Sequence, residues 1–149
     1  MQQARLRILV VNGPNLNLLG SREPAVYGGE PLDAIEAGLR AAAPKLGCEL
    51  EFYQANGEGQ IIDALHRAPR AFDGVVLNPG ALGHYSYALR DAVSAIRLPV
   101  FEVHLSHVFA REPFRREQVV APVAAGVIVG AGPMGYELAI RGLLSRLRS

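Results

Sequence analysis

The sequence predicts an α/β fold, doubly wound about a five-stranded parallel sheet, and two observations carry that reading. Five short apolar runs, rich in Val and Ile, recur along the chain. Stretches with apolar residues at helical spacing separate most of them, the alternation that puts helices on both faces of a parallel sheet. A length of 149 residues and a hydrophobic content of 50% suit one domain, residues 1–149, with a core of its own.

Taken in order, Ile8 to Val11 is the first strand. Leu32, Ile35, Leu39 and Leu46 then recur at helical spacing, with Pro31 suited to a first turn and Gly47 to a stop. The alternating run from Cys48 to Phe52 leads into the second strand, Leu50 to Tyr53, and points Cys48 into the core. Ile61, Ile62 and Leu65 mark the next helix, and Gly74 to Leu77 the third strand. Ala88, Ala92 and Ile96 form a helical face before the fourth strand, Pro99 to Val103. Gly126 to Val129 is the fifth strand, and Leu138, Leu143, Leu144 and Leu147 line the last helix. The last three strands are almost continuously apolar, which predicts burial on both faces. Such an order of elements is flavodoxin-like.

Composition excludes several classes of function. Fifteen basic against 14 acidic residues leave a net charge of +1, far from the basic excess that nucleic acid or anionic lipid demands. The run Ile8 to Val11 is too short for a signal-peptide core and no segment approaches transmembrane length, so a cytoplasmic protein with no membrane partner is expected. A single cysteine builds neither a disulfide framework nor a cysteine metal site. The cations are 14 Arg and one Lys, Lys45. Arg grips carboxylates with two bonds, whereas imine chemistry needs Lys, although genome composition also exchanges the two.

The polar residues gather at one edge. Ligands of open α/β sheets bind outside the carboxyl ends of the strands. There the chain places Asn12-Gly13-Pro14-Asn15, Gln54-Ala55-Asn56, Asn78-Pro79-Gly80 and His104-Leu105-Ser106. The connections 12–30 and 104–122 exceed the usual 2 to 6 residues of such turns, a length that signals function. His84, His104 and His107 follow strands three and four. A His-x-x-His pair is a reliable metal spacing only on a helix, so acid–base or hydrogen-bonding work is expected and metal is not. The stretch Gly130-Ala131-Gly132-Pro133-Met134-Gly135 fits G-x-G-x-x-G, but no later strand supplies the acidic residue of a dinucleotide site, so it reads as a tight strand-to-helix turn. Between Gly20 and Gly29 lie Arg22 and Tyr27; a phenol becomes a useful base when a nearby cation favours its ionised form.

With these residues assembled, the sequence resembles the type II 3-dehydroquinate dehydratases over almost its whole length. The matching stretches are Asn12 through Gly20, Arg22-Glu23-Pro24 through Tyr27-Gly28, Asn78-Pro79-Gly80-Ala81, His84 through Arg90-Asp91-Ala92, and Glu102-Val103-His104-Leu105-Ser106 through Arg111-Glu112 and Phe114-Arg115. The resemblance implies dehydration of 3-dehydroquinate to 3-dehydroshikimate by anti elimination through an enolate, without cofactor, in a homododecamer built as a tetramer of trimers. The same step serves the shikimate pathway and quinate catabolism. It implies Tyr27 as base, His104 as general acid, Arg22 as promoter of the tyrosinate and Asn15 as the amide beside the enolate. Asn78, His84, Asp91, Leu105, Ser106 and Arg115 match substrate-binding positions, Glu102 the residue that orients the histidine, and Arg111 a loop arginine behind the binding site. Ala55, Gly83 and His107 depart from the family's common Ser, Thr and Asn, which bears on hydrogen bonding around the site and on affinity.

Two other readings fit the fold less well. A flavin-binding module would offer a Ser- and Thr-rich phosphate loop after the first strand and aromatics for the ring, and Trp is absent. A receiver-like signalling domain needs acidic residues after strand one and an Asp after strand three, where Asn12 and Asn78 stand.

Overall fold

The five apolar runs become β1 (Leu6–Asn12), β2 (Cys48–Gln54), β3 (Gly74–Asn78), β4 (Val100–His104) and β5 (Gly126–Val129) in the computed structural model, which describes residues 5–149. The first four residues, included in the expected domain, lie outside the described residues. All five strands pair in parallel in the order β2-β1-β3-β4-β5. Connections therefore leave β1 and β3 in opposite directions, and the crevice outside their carboxyl ends is where such a sheet holds a ligand. The helices are α1 (Pro24–Tyr27), α2 (Leu32–Leu46), α3 (Glu58–Arg67), α4 (Tyr87–Ala95) and α5 (Met134–Arg148).

Strand alternation splits the core into two layers. Ile8, Val10 and Val76 pack with Ile35 and Leu39 of α2 and with Ile140 and Leu143 of α5. Leu9, Val11, Val75 and Leu77 pack on the other face with Ile61 and Leu65 of α3 and Leu89 and Val93 of α4. A large aliphatic side chain buried in this way contributes about 1.5–3 kcal/mol. Cys48 is buried as its place in the alternation required, and burial pushes its thiol up.

Three details differ from the sequence reading. Burial on both faces holds for β3, but β5 is only half buried, with Val127 38% exposed, because it is the sheet margin with a single strand neighbour. The helix read through Ile96 ends at Ala95, since Ile96 is already extended (φ −76°, ψ 145°) to turn the chain toward β4. Pro31 precedes the first turn of α2 as its cap residue instead of standing within it.

The two long connections are ordered. Residues 12–30 contain a 3-10 turn, Leu16–Leu18, and α1, and are anchored by buried Leu16, Leu19 and Tyr27. Residues 104–122 hold the 3-10 turns Val108–Ala110 and Pro113–Arg116 and are anchored by Leu105, Val108 and Val120. Among the described residues, no helix is long and apolar enough to cross a membrane.

Candidate active site

The turns after β1 and β3 interlock. The Gly13 N–H donates to the Asn78 carbonyl oxygen at 2.8 Å, and a Cβ at Gly13 would meet the Pro79 carbonyl oxygen at 2.6 Å. Gly80 has a φ of 59° and faces the Pro14 carbonyl oxygen, so neither position admits a side chain without displacing the other turn. Above these turns opens a small cavity of about 40 Å³, lined on its far side by residues of the two long connections.

Asn15 reaches the cavity from the first turn with a left-handed backbone (φ 70°). Its N–H donates to Asn56 Oδ1 at 3.0 Å, and Gln54 Nε2 donates to the same oxygen at 3.0 Å and to the Gly13 carbonyl oxygen at 3.2 Å. The polar end of β2 thus braces the loop without lining the cavity. Glu23, at φ 38°, is the other non-glycine residue with positive φ among the described residues, and it immediately precedes α1, which carries Tyr27. Strain of this kind persists where surrounding contacts enforce it, and it gathers at functional sites.

Tyr27 is buried to 8% exposure and lies between two guanidinium groups. Arg22 stacks 4.7 Å from the ring centroid and Arg111 5.0 Å from it. Arg111 Nη1 donates to Tyr27 Oη at 2.8 Å and to Ser106 Oγ at 3.2 Å. Arg111, which follows the 3-10 turn at Val108–Ala110, therefore stands in the cavity, not behind it. Glu23 approaches Arg111 at 3.7 Å, and Glu112 at 3.6 Å. Glu112 also accepts from Arg115 Nε at 3.0 Å, and that bond holds its carboxyl below the usual range.

His104 ends β4 and lines the cavity. Its Nε2 lies 2.5 Å from Glu102 Oε2, a carboxylate oxygen that only accepts, so Nε2 carries the proton and Nδ1 is the nitrogen left for the cavity. Glu102 is completely buried, and its other oxygen has no partner. The His84 ring stacks on His104, centroids 5.7 Å apart and planes 25° apart. His84 Nδ1 donates to the Glu117 carbonyl oxygen at 2.8 Å. Burial lowers the His84 value, against that carbonyl bond, which raises it. The ring therefore stands neutral with Nε2 as an acceptor. A Cβ at Gly83 would lie 2.9 Å from Pro79 Cγ and 3.3 Å from His104 Cε1, so the departure from Thr leaves the imidazole packed on bare backbone.

Asn78, Leu105 and Arg115 line the same cavity. Asp91 does not: it is exposed on α4, and the turn at Gly80–His84 carries the chain away from the cavity before that helix begins. His107 is also exposed and packs edge-on against Phe109. Among the described residues, no three His, Cys, Asp or Glu side chains are gathered as a metal ion would need. Sequence reasoning did not single out Glu112 as the brace of two arginines, nor Gln118, which donates to the Arg115 carbonyl oxygen at 3.0 Å. Both lie in the long 104–122 connection; Glu112 also stands in a family-matching stretch, whereas for Gln118 the length of the connection was the only signal.

In sum of charge, three arginines face two buried imidazoles, and the nearby carboxylates Glu23 and Glu112 are exposed. That suits a small anionic, oxygen-rich ligand. A phenol flanked by cations and an imidazole held by a carboxylate line one cavity, an arrangement suited to proton removal and proton delivery on one ligand.

A family model described as "Dehydroquinase class II" matches residues 6–144. A protein of Bacillus subtilis (strain 168) named 3-dehydroquinate dehydratase is 59% identical over 138 residues, 93% of each chain. One of the same name from Chelativorans sp. (strain BNC1) is 57% identical over 141 residues, 94% of this chain and 97% of the other. The crystal structure of a type II dehydroquinase from Butyrivibrio crossotus superposes with a TM-score of 0.92 at 44% identity, covering 99% of this chain and all of the other.

Proposed function

The chain belongs to the class II dehydroquinase family, a lyase of the shikimate pathway that dehydrates 3-dehydroquinate, and on that premise we propose how its cavity carries out the step. Tyr27, as the phenolate, takes a proton from the carbon beside the substrate ketone. The C–H electron pair moves to the ketone oxygen as an enolate, which the Asn15 amide meets. Collapse of the enolate forms the carbon–carbon double bond and breaks the C–O bond on the opposite face. His104, as the imidazolium with its second proton on Nδ1, gives that proton to the departing hydroxide, so that water leaves and the neutral imidazole remains. The step is redox-neutral and its two protons are handled by these two side chains.

The observation that carries this reading is the hydrogen bond from Arg111 to Tyr27 Oη, in the same cavity as the Glu102–His104 pair. A guanidinium N–H on the oxygen favours the phenolate, and Arg22 adds charge over the ring. Glu102 fixes the His104 tautomer and steadies its imidazolium form. Asn78, His84, Leu105, Ser106 and Arg115 bind the hydroxyls and carboxylate of the substrate. The conjugated enone product absorbs in the ultraviolet, so a direct absorbance assay with 3-dehydroquinate tests the reading. No absorbance rise at high enzyme concentration would overturn it.

We further propose that residues 1–149 act as one catalytic domain in the cytoplasm and assemble as a homododecamer, a tetramer of trimers. Asp91 lies outside the cavity of its own chain, so a part for it in binding requires the cavity of a neighbouring copy. Sedimentation equilibrium should give about twelve times the 16.0 kDa chain mass, and a monomeric mass with full activity would refute the assembly.

A further inference from the structure

The turn Gly130-Ala131-Gly132-Pro133-Met134-Gly135 binds no phosphate in the mechanism above, yet it starts α5 so that Tyr136 enters the core within the first helical turn. Tyr136 is 1% exposed. Its hydroxyl stands between two asparagines from the carboxyl ends of neighbouring strands, Asn12 of β1 and Asn78 of β3. Asn78 is also a wall of the cavity.

The hydrogen bonds run in one direction. The Gly80 N–H can only donate, so the Asn78 atom it meets at 3.2 Å is the carbonyl oxygen Oδ1. Asn78 must then turn its Nδ2 to Tyr136, and it donates to the phenolic oxygen at 3.1 Å. With that lone pair engaged, the hydroxyl hydrogen goes to Asn12 Oδ1, 2.5 Å away. Burial holds the phenol protonated far above neutral pH, against a smaller opposing effect of the Asn78 bond. The amide Nδ2 of Asn12 is left buried without a partner, a cost that packing alone gives no reason to keep beside a cavity wall.

An asparagine amide without such a tether rotates freely between presenting its oxygen and presenting its nitrogen. Here Oδ1 and one Nδ2 hydrogen of Asn78 are both committed to protein, which leaves the second Nδ2 hydrogen. We propose that Tyr136 is a positioning residue that, together with the Gly80 N–H, fixes the Asn78 amide as a hydrogen-bond donor toward an oxygen of the substrate. The inference rests on the assignment of Asn78 to substrate binding. Its chemical consequence is that the substrate group facing Asn78 acts as an acceptor, either a carboxylate oxygen or the lone pair of a hydroxyl.

Steady-state kinetics with 3-dehydroquinate test it. Tyr136→Phe keeps the ring in the core and removes only the hydroxyl. It should raise KM about fivefold with kcat within about twofold, the signature of a contact made equally in ground and transition states. Asn78→Ala should raise KM about tenfold or more, and the double variant should be no worse than Asn78→Ala, because Tyr136 acts through Asn78. A packing role would instead lower the thermal midpoint without changing KM, and its effects would add in the double variant; either result overturns the inference. A raised KM in Asn78→Ala with an unchanged KM in Tyr136→Phe removes Tyr136 alone. An unchanged KM in Asn78→Ala overturns the Asn78 assignment and the inference with it. Should Tyr136→Phe fail to fold, Asn12→Ala, which frees the hydroxyl hydrogen and leaves the ring packed, carries the same test: KM should rise about threefold, and no rise overturns the proposal.

Discussion

At Tyr27 two arginines differ in what they touch, and the difference predicts separate kinetics. Arg111 donates to the oxygen that carries the phenolate charge in the proposed step, whereas Arg22 lies over the ring face. Arg111→Ala should therefore lower kcat by about 10²-fold and Arg22→Ala by less, while Arg115→Ala, at a binding position, should chiefly raise KM. Equal kcat losses in all three variants would dissolve the distinction. Tyr27→Phe and His104→Ala should each cost about 10²- to 10⁴-fold in kcat with the circular dichroism spectrum unchanged. His84 provides a pH test. Burial lowers its native value below the ordinary 6.5, so the native state binds fewer protons than the unfolded chain as the pH falls below that value. Its contribution is complete above about pH 6.5 and is lost as the pH drops through the lower native value. The thermal midpoint of the native protein should fall with acidification in that window, and His84→Gln should show a shallower fall. Equal slopes in the two proteins would exclude His84 as a source.

Between residue and fold stand the elements that hold the two long connections. The α4 N-terminus is capped by Ser86, whose Oγ accepts from the Leu89 N–H at 3.0 Å and donates to Glu58 Oε2 of α3 at 2.5 Å. One hydroxyl thus closes a helix end and ties two helices together just after His84. Ser86→Ala should lower stability by about 1–2 kcal/mol in urea unfolding, since the cap is buried and shared. A loss within error would mean that Glu58 and the free amides find water at no cost. The five strands, α2 and α4 were legible from periodicity within one or two residues at each end, whereas α3 and α5 begin three and four residues before the first apolar residue that marked them. Order inside the two long connections was not, because α1 and the 3-10 turns are too short to carry a period and owe their form to Leu16, Leu19, Leu105 and Val108 docking in the core.

For the molecule as a whole, strand order separates a working edge from an idle one. Lys45 lies in the last turn of α2, exposed, where the chain turns at Gly47 into the amino end of β2, while the cavity opens at the carboxyl ends of β1, β3 and β4. An imine route needs a lysine amine at the substrate carbonyl, and the chain's single lysine is at the wrong edge. Borohydride with substrate should neither inactivate the protein nor add substrate mass to it, and Lys45→Ala should keep full activity. A trapped adduct on Lys45 in intact-mass analysis would overturn the enolate route.

The sequence by itself determined what depends on near neighbours along the chain: five strands, their helices, the parallel class, and the gathering of polar residues at strand ends. Family motifs marked the candidate site residues, because Tyr27, His104 and their companions are chemically distinctive types in fixed local settings. Tertiary structure decided what depends on distance across the chain. Arg111 reaches the Tyr27 oxygen across 84 residues, and Tyr136 reaches Asn12 across 124, pairings that no local pattern encodes. Asp91 sits on a matched motif but on the far side of a turn, and β5 reads as a central strand yet lies at the margin. Hydropathy and motif spacing register what a residue is and which face it shares; which partner completes its hydrogen bonds follows only when the sheet order brings distant strand ends together.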